Sequence, residues 1–168
     1  MSVMQQWGNV GIEFQEDGWY GALTRELTFV QAAIVAQGIA SFMKTEDLTQ
    51  NGMIVGFVGD ARGYLFAERI AEVLAGNQVI VWLCEEEATE GQLCNAIRQE
   101  GLDGGILVTG QGTTVRGLKF LTPEKKELTP AHIEPYVREI EAGARGLLVK
   151  PYAQASREGA LLLCAFQM

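Results

Sequence analysis

Between residues 53 and 109 the chain places three short, uninterrupted apolar runs and sets a helical stripe after each of the first two. The runs are Met53 to Val58, Val79 to Cys84 and Gly105 to Thr109. Thr109 apart, each lacks polar side chains instead of alternating, the mark of a strand buried on both faces. Phe66, Ile70, Val73 and Leu74 stand at i, i+4, i+7 and i+8, one face of a helix, and Leu93, Ala96 and Ile97 make a shorter stripe. Strands that alternate with helices in this way predict a layered α/β fold with a largely parallel sheet.

Local signals punctuate that pattern. Thr28-x-x-Gln31 has capping-box spacing and starts a helix near Phe29, whose apolar face is Val30, Ala33, Ile34, Ala36, Ile39, Ala40 and Met43. Asn51-Gly52 marks a turn, and Gly76 is expected to close the Phe66 helix as its C-terminal glycine. Thr89-x-x-Gln92 caps the next helix and Gly101 ends it, while Leu118 to Leu121 reads as a strand after a glycine-rich loop. Thr129-Pro130 begins a further helix with the face Ile133, Val137 and Ile140, Pro135 being expected to distort its first turns. Near the start, Ile12 to Phe14 is a short apolar stretch broken by a turn at Glu16 to Trp19. After Gly143 come Leu147 to Val149 and Leu161 to Phe166, expected as a closing hairpin or an assembly extension, with 143–159 the candidate linker.

At 168 residues the chain has the size of one domain. A chain of about 150 residues buries about two-thirds of its unfolded surface, so no disulfide or metal staple is required. Thirteen basic against 21 acidic side chains give a net charge of −8, the wrong field for a nucleic-acid partner. No apolar run reaches the roughly 18 residues of a membrane span, and Met1 to Asn9 lacks a signal-peptide pattern. A cytoplasmic location is the default expectation. Cys84, Cys94 and Cys164 sit in apolar contexts without CxxC spacing and are read as reduced, buried small hydrophobes.

Four segments, in order, resemble the N-terminal domain of the α-D-phosphohexomutases, the phosphoglucomutases and phosphomannomutases. Ile12-Glu13-Phe14-Gln15-Glu16-Asp17-Gly18-Trp19-Tyr20-Gly21 is similar to the family's I-x-F-G-T-D-G-W-R-G opening. Val55-Gly56 through Gly59-Asp60-Ala61-Arg62 is similar to V-G-x-D-T-R, and Leu102 to Thr109 to G-A-D-G-G-I-M-I-T. Gly117-Leu118-Lys119 is similar to N-G-x-K, with Arg116 where the family has asparagine. The match spans roughly residues 12 to 141. It implies a three-layer α/β/α sandwich with a mixed, largely parallel sheet. Residues 1–143 would form the phosphohexomutase-like domain and 144–168 a C-terminal extension, either closing strands or an assembly segment.

The same resemblance makes the departures informative. The family's strand leads into A-S-H-N-P, whose serine is the phosphorylated nucleophile; here Gly110-Gln111-Gly112-Thr113-Thr114 follows Thr109, with Gln111 at the serine's place. A primary amide forms no stable phosphoester and is a poor nucleophile at neutral pH. Tyr20 replaces the arginine expected near the phosphoryl group, whereas Lys119 matches the family's proton-transfer lysine. No string like the family's D-G-D-G-D-R magnesium loop occurs, and Glu85-Glu86-Glu87 reads as a solvated loop. No cofactor, no metal and no catalytic residue are therefore expected, because phosphoryl transfer depends on metal and positioning.

Binding is what such a scaffold retains. The ligand candidates are Arg62, Gly110, Gln111, Gly112, Thr113, Thr114, Arg116 and Lys119, at the sheet end where open α/β folds place ligands. Glycines let backbone N–H groups converge on an anion, with the cations adding charge. The stronger reading of the same loop is a turn joining two strands, its cations solvated or paired to acids. His132, in a helix's first turn, is read as a surface residue. The favoured function is a non-catalytic binding or structural subunit with a protein partner or a homo-oligomer. The alternatives are a sensor of a phosphorylated small molecule and one chain of a split intramolecular phosphotransferase.

Overall fold

The computed structural model describes residues 12–21, 26–111, 114–123, 129–143 and 146–166. Its strands are β1 (Ile12–Gln15), β2 (Gly18–Gly21), β3 (Met53–Phe57), β4 (Val81–Cys84), β5 (Gly104–Gln111), β6 (Thr114–Leu121) and β7 (Leu161–Cys164). The helices are α1 (Phe29–Thr45), α2 (Ala61–Gly76), α3 (Glu90–Glu100), α4 (Pro130–Glu141) and α5 (Tyr152–Arg157). All seven strands join one sheet in the order β1-β2-β6-β5-β3-β4-β7. β3 pairs in parallel with β4 and β5, and β4 with β7. β6 opposes both β5 and β2, so β2, β5, β3, β4 and β7 share one direction. The result is the mixed, largely parallel sheet of an α/β fold.

Strand alternation divides the core into two clusters. Met53, Val55 and Phe57 of β3 and Ile106 and Val108 of β5 pack with residues of α1, α2, α4 and α5. Ile54 and Leu107 face the other way and meet Leu93 and Ile97 of α3. Fully apolar strands are required because both faces of the sheet centre are covered. Helix starts follow the expected chemistry: Thr28 and Thr89 form complete capping boxes with Gln31 and Gln92. Asp60 caps α2 by accepting from the Arg62 N–H at 3.0 Å. Gly101 ends α3 in the left-handed region at φ 64°, where glycine carries no Cβ penalty.

Other expectations are corrected. Gly76 is the last residue of α2 rather than its cap; Asn77 takes that place with φ −100°. The glycine serves a close approach instead, since a Cβ there would lie 2.5 Å from the Leu148 carbonyl oxygen. Pro135 does not interrupt α4, which runs unbroken from Pro130 to Glu141. The strand expected from Val79 begins at Val81. Cys94 is exposed on α3, not buried, because it falls outside the Leu93/Ile97 stripe. Gly18 and Trp19, read as part of the turn, open strand β2, which pairs with β1 and β6.

The C-terminal segment adds a closing strand to the sheet rather than a hairpin. Residues 146–150 are irregular, α5 follows, and β7 adds in parallel to the β4 edge. A parallel strand needs a long connection, and the whole chain from α3 to α5 lies between β4 and β7. Polar side chains pin the segment down. Asn77 and Gln37, both buried, exchange hydrogen bonds at 2.8 and 2.9 Å, and the Gln37 Oε1 accepts the Leu148 N–H at 2.9 Å. Glu72 takes the Lys150 N–H on its backbone carbonyl (3.0 Å) and the Tyr152 N–H on its carboxylate (2.7 Å).

Candidate functional site

β5 carries the stretch where ligand candidates begin, and its register rests on a buried carboxylate. Asp103, just before the strand, accepts the Asn51 N–H at 2.8 Å, the Gly52 N–H at 3.2 Å and the Asn51 side-chain amide at 3.3 Å. Its own N–H donates to the Gly52 carbonyl at 2.8 Å. The turn that launches β3 is thereby tied to the start of β5, and the pair stays in register to the end of β3, where the Val58 N–H donates to the Val108 carbonyl at 2.9 Å. Trp19, fully buried, packs against Phe14 with the rings tilted by 50° and donates its indole N–H to Glu134 on α4, fixing β2 against that helix. Two of the motif residues behind the family resemblance, Asp103 and Trp19, thus hold the frame of the site.

The stretch after Thr109 joins two strands, and strand pairing reaches further into it than the sequence indicated. β5 continues through Gly110 and Gln111, which pair with Val115 and Thr114 of β6. Gly112 and Thr113, the only residues between the last pair, lie outside the described residues. A Cβ on Gly110 would stand 2.2 Å from the Thr114 carbonyl oxygen, so this glycine answers to strand contact. Backbone at 110, 111 and 114 belongs to a ladder, a poor arrangement for N–H groups meant to converge on an anion. The register skips Arg116 between Val115 and Gly117, making it the extra residue of a β-bulge, a feature common beside functional sites. Its side chain is exposed.

The other two cations fall into separate clusters. Arg62, in the first turn of α2, pairs with Glu26 at 3.0 Å, both about half exposed. Lys119 of β6 projects on the α3 side of the sheet, where its ammonium lies 3.3 Å from Glu90 and 3.5 Å from Asp17. Burial depresses the Lys119 pKa, but the hydrogen bond and charge of Glu90, with those of Asp17, outweigh it and hold the ammonium above its ordinary value. The Tyr20 hydroxyl also donates to Asp17, at 2.8 Å. Its pKa is raised by burial first, then by the Asp17 hydrogen bond and charge and by Glu90. The two cation clusters have no partner in common, and each is already matched by carboxylate.

Asp17, Glu26 and Glu90 were not singled out by the sequence. Asp17 lay inside a recognised motif, but nothing local announced its pairing with Lys119, which is set by β2–β6 register. Among the described residues no group of three His, Cys, Asp or Glu side chains is placed to hold a metal ion. His132 is exposed, in the first turn of α4, and its Nδ1 accepts the Thr129 N–H at 3.2 Å.

Residues 11–144 match the model of phosphoglucomutase/phosphomannomutase, alpha/beta/alpha domain I. No curated protein sequence matches the chain. Among solved structures, nineteen chains match. One is a Thermus thermophilus protein assigned as a phosphomannomutase, with 21% identity and a TM-score of 0.68. That alignment covers 94% of this chain and 34% of the Thermus one, so the present chain spans about a third of its length.

Proposed function

Because this chain belongs to the phosphoglucomutase/phosphomannomutase family through its α/β/α domain I, we propose that it is a non-catalytic version of that domain, a binding or structural subunit. The reading is carried by Gln111. By resemblance it occupies the place of the family's phosphoserine, and its backbone is paired with Thr114 in the β5–β6 ladder. An amide cannot take and return a phosphoryl group. Lys119, the counterpart of the family's lysine, is engaged by two carboxylates, and Tyr20 offers a phenol where the family has a permanent cation. A dianionic phosphate entering here would meet Asp17 and Glu90 as well as Lys119. Assembly has its own support: β7 is an edge strand of the sheet, and Leu163 on it is 43% exposed. An apolar edge strand is a template for pairing with another chain.

Incubation with a radiolabelled hexose 1,6-bisphosphate tests the lost chemistry, and no label should remain on the chain. Phosphate on Thr109, Thr113 or Thr114 would overturn the proposal. Light scattering tests assembly: the expected form is a dimer or larger species that Leu163→Lys dissociates, and a strict monomer counts against it. A panel of hexose phosphates should leave the melting temperature unchanged. Stabilisation by about 2.7 kcal/mol at a hundredfold excess over Kd, lost in Lys119→Ala and Arg62→Ala, would instead identify a sensor.

A further inference from the structure

Cys84 and Cys164 are register partners on the parallel pair β4–β7, and their sulfurs lie 3.7 Å apart. Neighbouring strands run about 4.7–4.9 Å apart, inside the roughly 4.4–6.8 Å Cα separation that a disulfide spans. The remaining approach of the sulfurs, to about 2.05 Å, falls to side-chain rotation and a small closing of the strand gap. The two thiols are not equivalent. Cys84 is fully buried, while Cys164 is half-buried and lines a cavity of about 270 Å³ with Trp82, Glu100, Leu102 and Phe166. That cavity opens beside α3, the one helix among the described residues that covers this face of the sheet. A small neutral oxidant therefore reaches Cys164 and not Cys84.

From this placement we infer that Cys84 and Cys164 form a reversible disulfide on exposure to hydrogen peroxide, locking the edge strand β7 to the sheet. The hydrogen bond from Cys84 favours the thiolate of Cys164, whereas that bond and burial keep Cys84 protonated. Cys164 is thus the attacking sulfur. Its thiolate attacks one peroxide oxygen; the O–O bond breaks, and the departing hydroxide takes a proton to leave as water. Cys164 then carries a sulfenic acid. The Cys84 sulfur attacks the Cys164 sulfur, the S–O bond breaks, and the second hydroxide takes the Cys84 proton. Two thiols lose two electrons, one peroxide becomes two waters, and a dithiol reductant reverses the change by thiol–disulfide exchange. The consequence is structural: residues 84 and 164 enclose most of the second half of the chain, so closing that loop restricts the unfolded state.

The test uses the full chain with Cys94→Ser, an exposed position, so that only these two thiols remain. After a stoichiometric peroxide pulse, each polypeptide should lose both titratable thiols and about 2 Da of mass. Its melting temperature should rise by roughly 5–15 °C, and dithiothreitol should restore all three values. A gain of about 32 Da at Cys164 with Cys84 still alkylatable, a disulfide between two chains, or two thiols that survive the pulse would each overturn the inference. Because both thiols are read out by mass in the one Cys94→Ser chain, no outcome depends on a Cys84 variant folding.

Discussion

Replacing Asp103 with alanine tests the claim that a buried carboxylate sets the register of the site strand. Asp103 is 4% exposed and accepts three hydrogen bonds, two of them from the backbone of the β3 turn. In Asp103→Ala the Gly52 N–H, buried at 3.2 Å from the lost oxygen, has no substitute acceptor. An orphaned buried donor costs about 1–3 kcal/mol. The Asn51 N–H is only partly buried, and water recovers part of its bond, leaving roughly 0.5–1 kcal/mol. The small cavity adds about 0.5 kcal/mol, for an expected loss of about 2–4 kcal/mol. Asp103→Asn keeps one oxygen but turns an amide toward N–H donors, so it should lose about half as much. Urea unfolding followed by tryptophan fluorescence measures both, with m unchanged if only the native state is affected. A loss below about 0.5 kcal/mol in Asp103→Ala, or equal losses in the two variants, would refute the assignment.

Asn77→Ala should cost about 2–4 kcal/mol, because it strips partners from the Gln37 amide, the Lys44 ammonium and the Val73 carbonyl in one buried network; thermal unfolding reads this directly. Glu90→Gln should cost under about 1 kcal/mol by urea unfolding, since Glu90 is half exposed and Asp17 still pairs with Lys119; a larger loss would mark the pair as structural. In alkali, Tyr20 and Lys119 both have folded pKa values above their unfolded ones, and Tyr64 is pushed up to about 12 by burial and then by Glu68. Their contributions are complete below the unfolded values of about 10 and disappear as pH rises through the folded ones. Melting temperature should therefore begin to fall above about pH 10. Tyr20→Phe should flatten part of that slope, and an unchanged slope would contradict the environment described for Tyr20.

Helix starts were legible because their signals are local. Thr28 and Thr89 each need only a glutamine three residues on, and Gly101 only a left-handed position, so a short window contains the whole interaction. Gly76 shows the limit of the same rule. A glycine near a helix end looks like a cap in sequence, yet its reason is Leu148, more than seventy residues later. Strand β2 was missed for the same cause, since its four residues are short and broken by glycines, and their strand character comes from pairing on both sides.

The sequence by itself determined the layered α/β alternation and the resemblance to the family, because residue type and spacing settle those. Tertiary structure decided that Gly110 and Gln111 sit in a ladder, that Lys119 is matched by Asp17 and Glu90, and that β7 joins the sheet beside β4. It also brought Cys84 and Cys164, eighty positions apart, to within 3.7 Å. The division has one physical basis. Burial patterns and caps are properties of neighbouring residues, whereas strand register and ion pairing depend on which distant segments the folded sheet sets side by side.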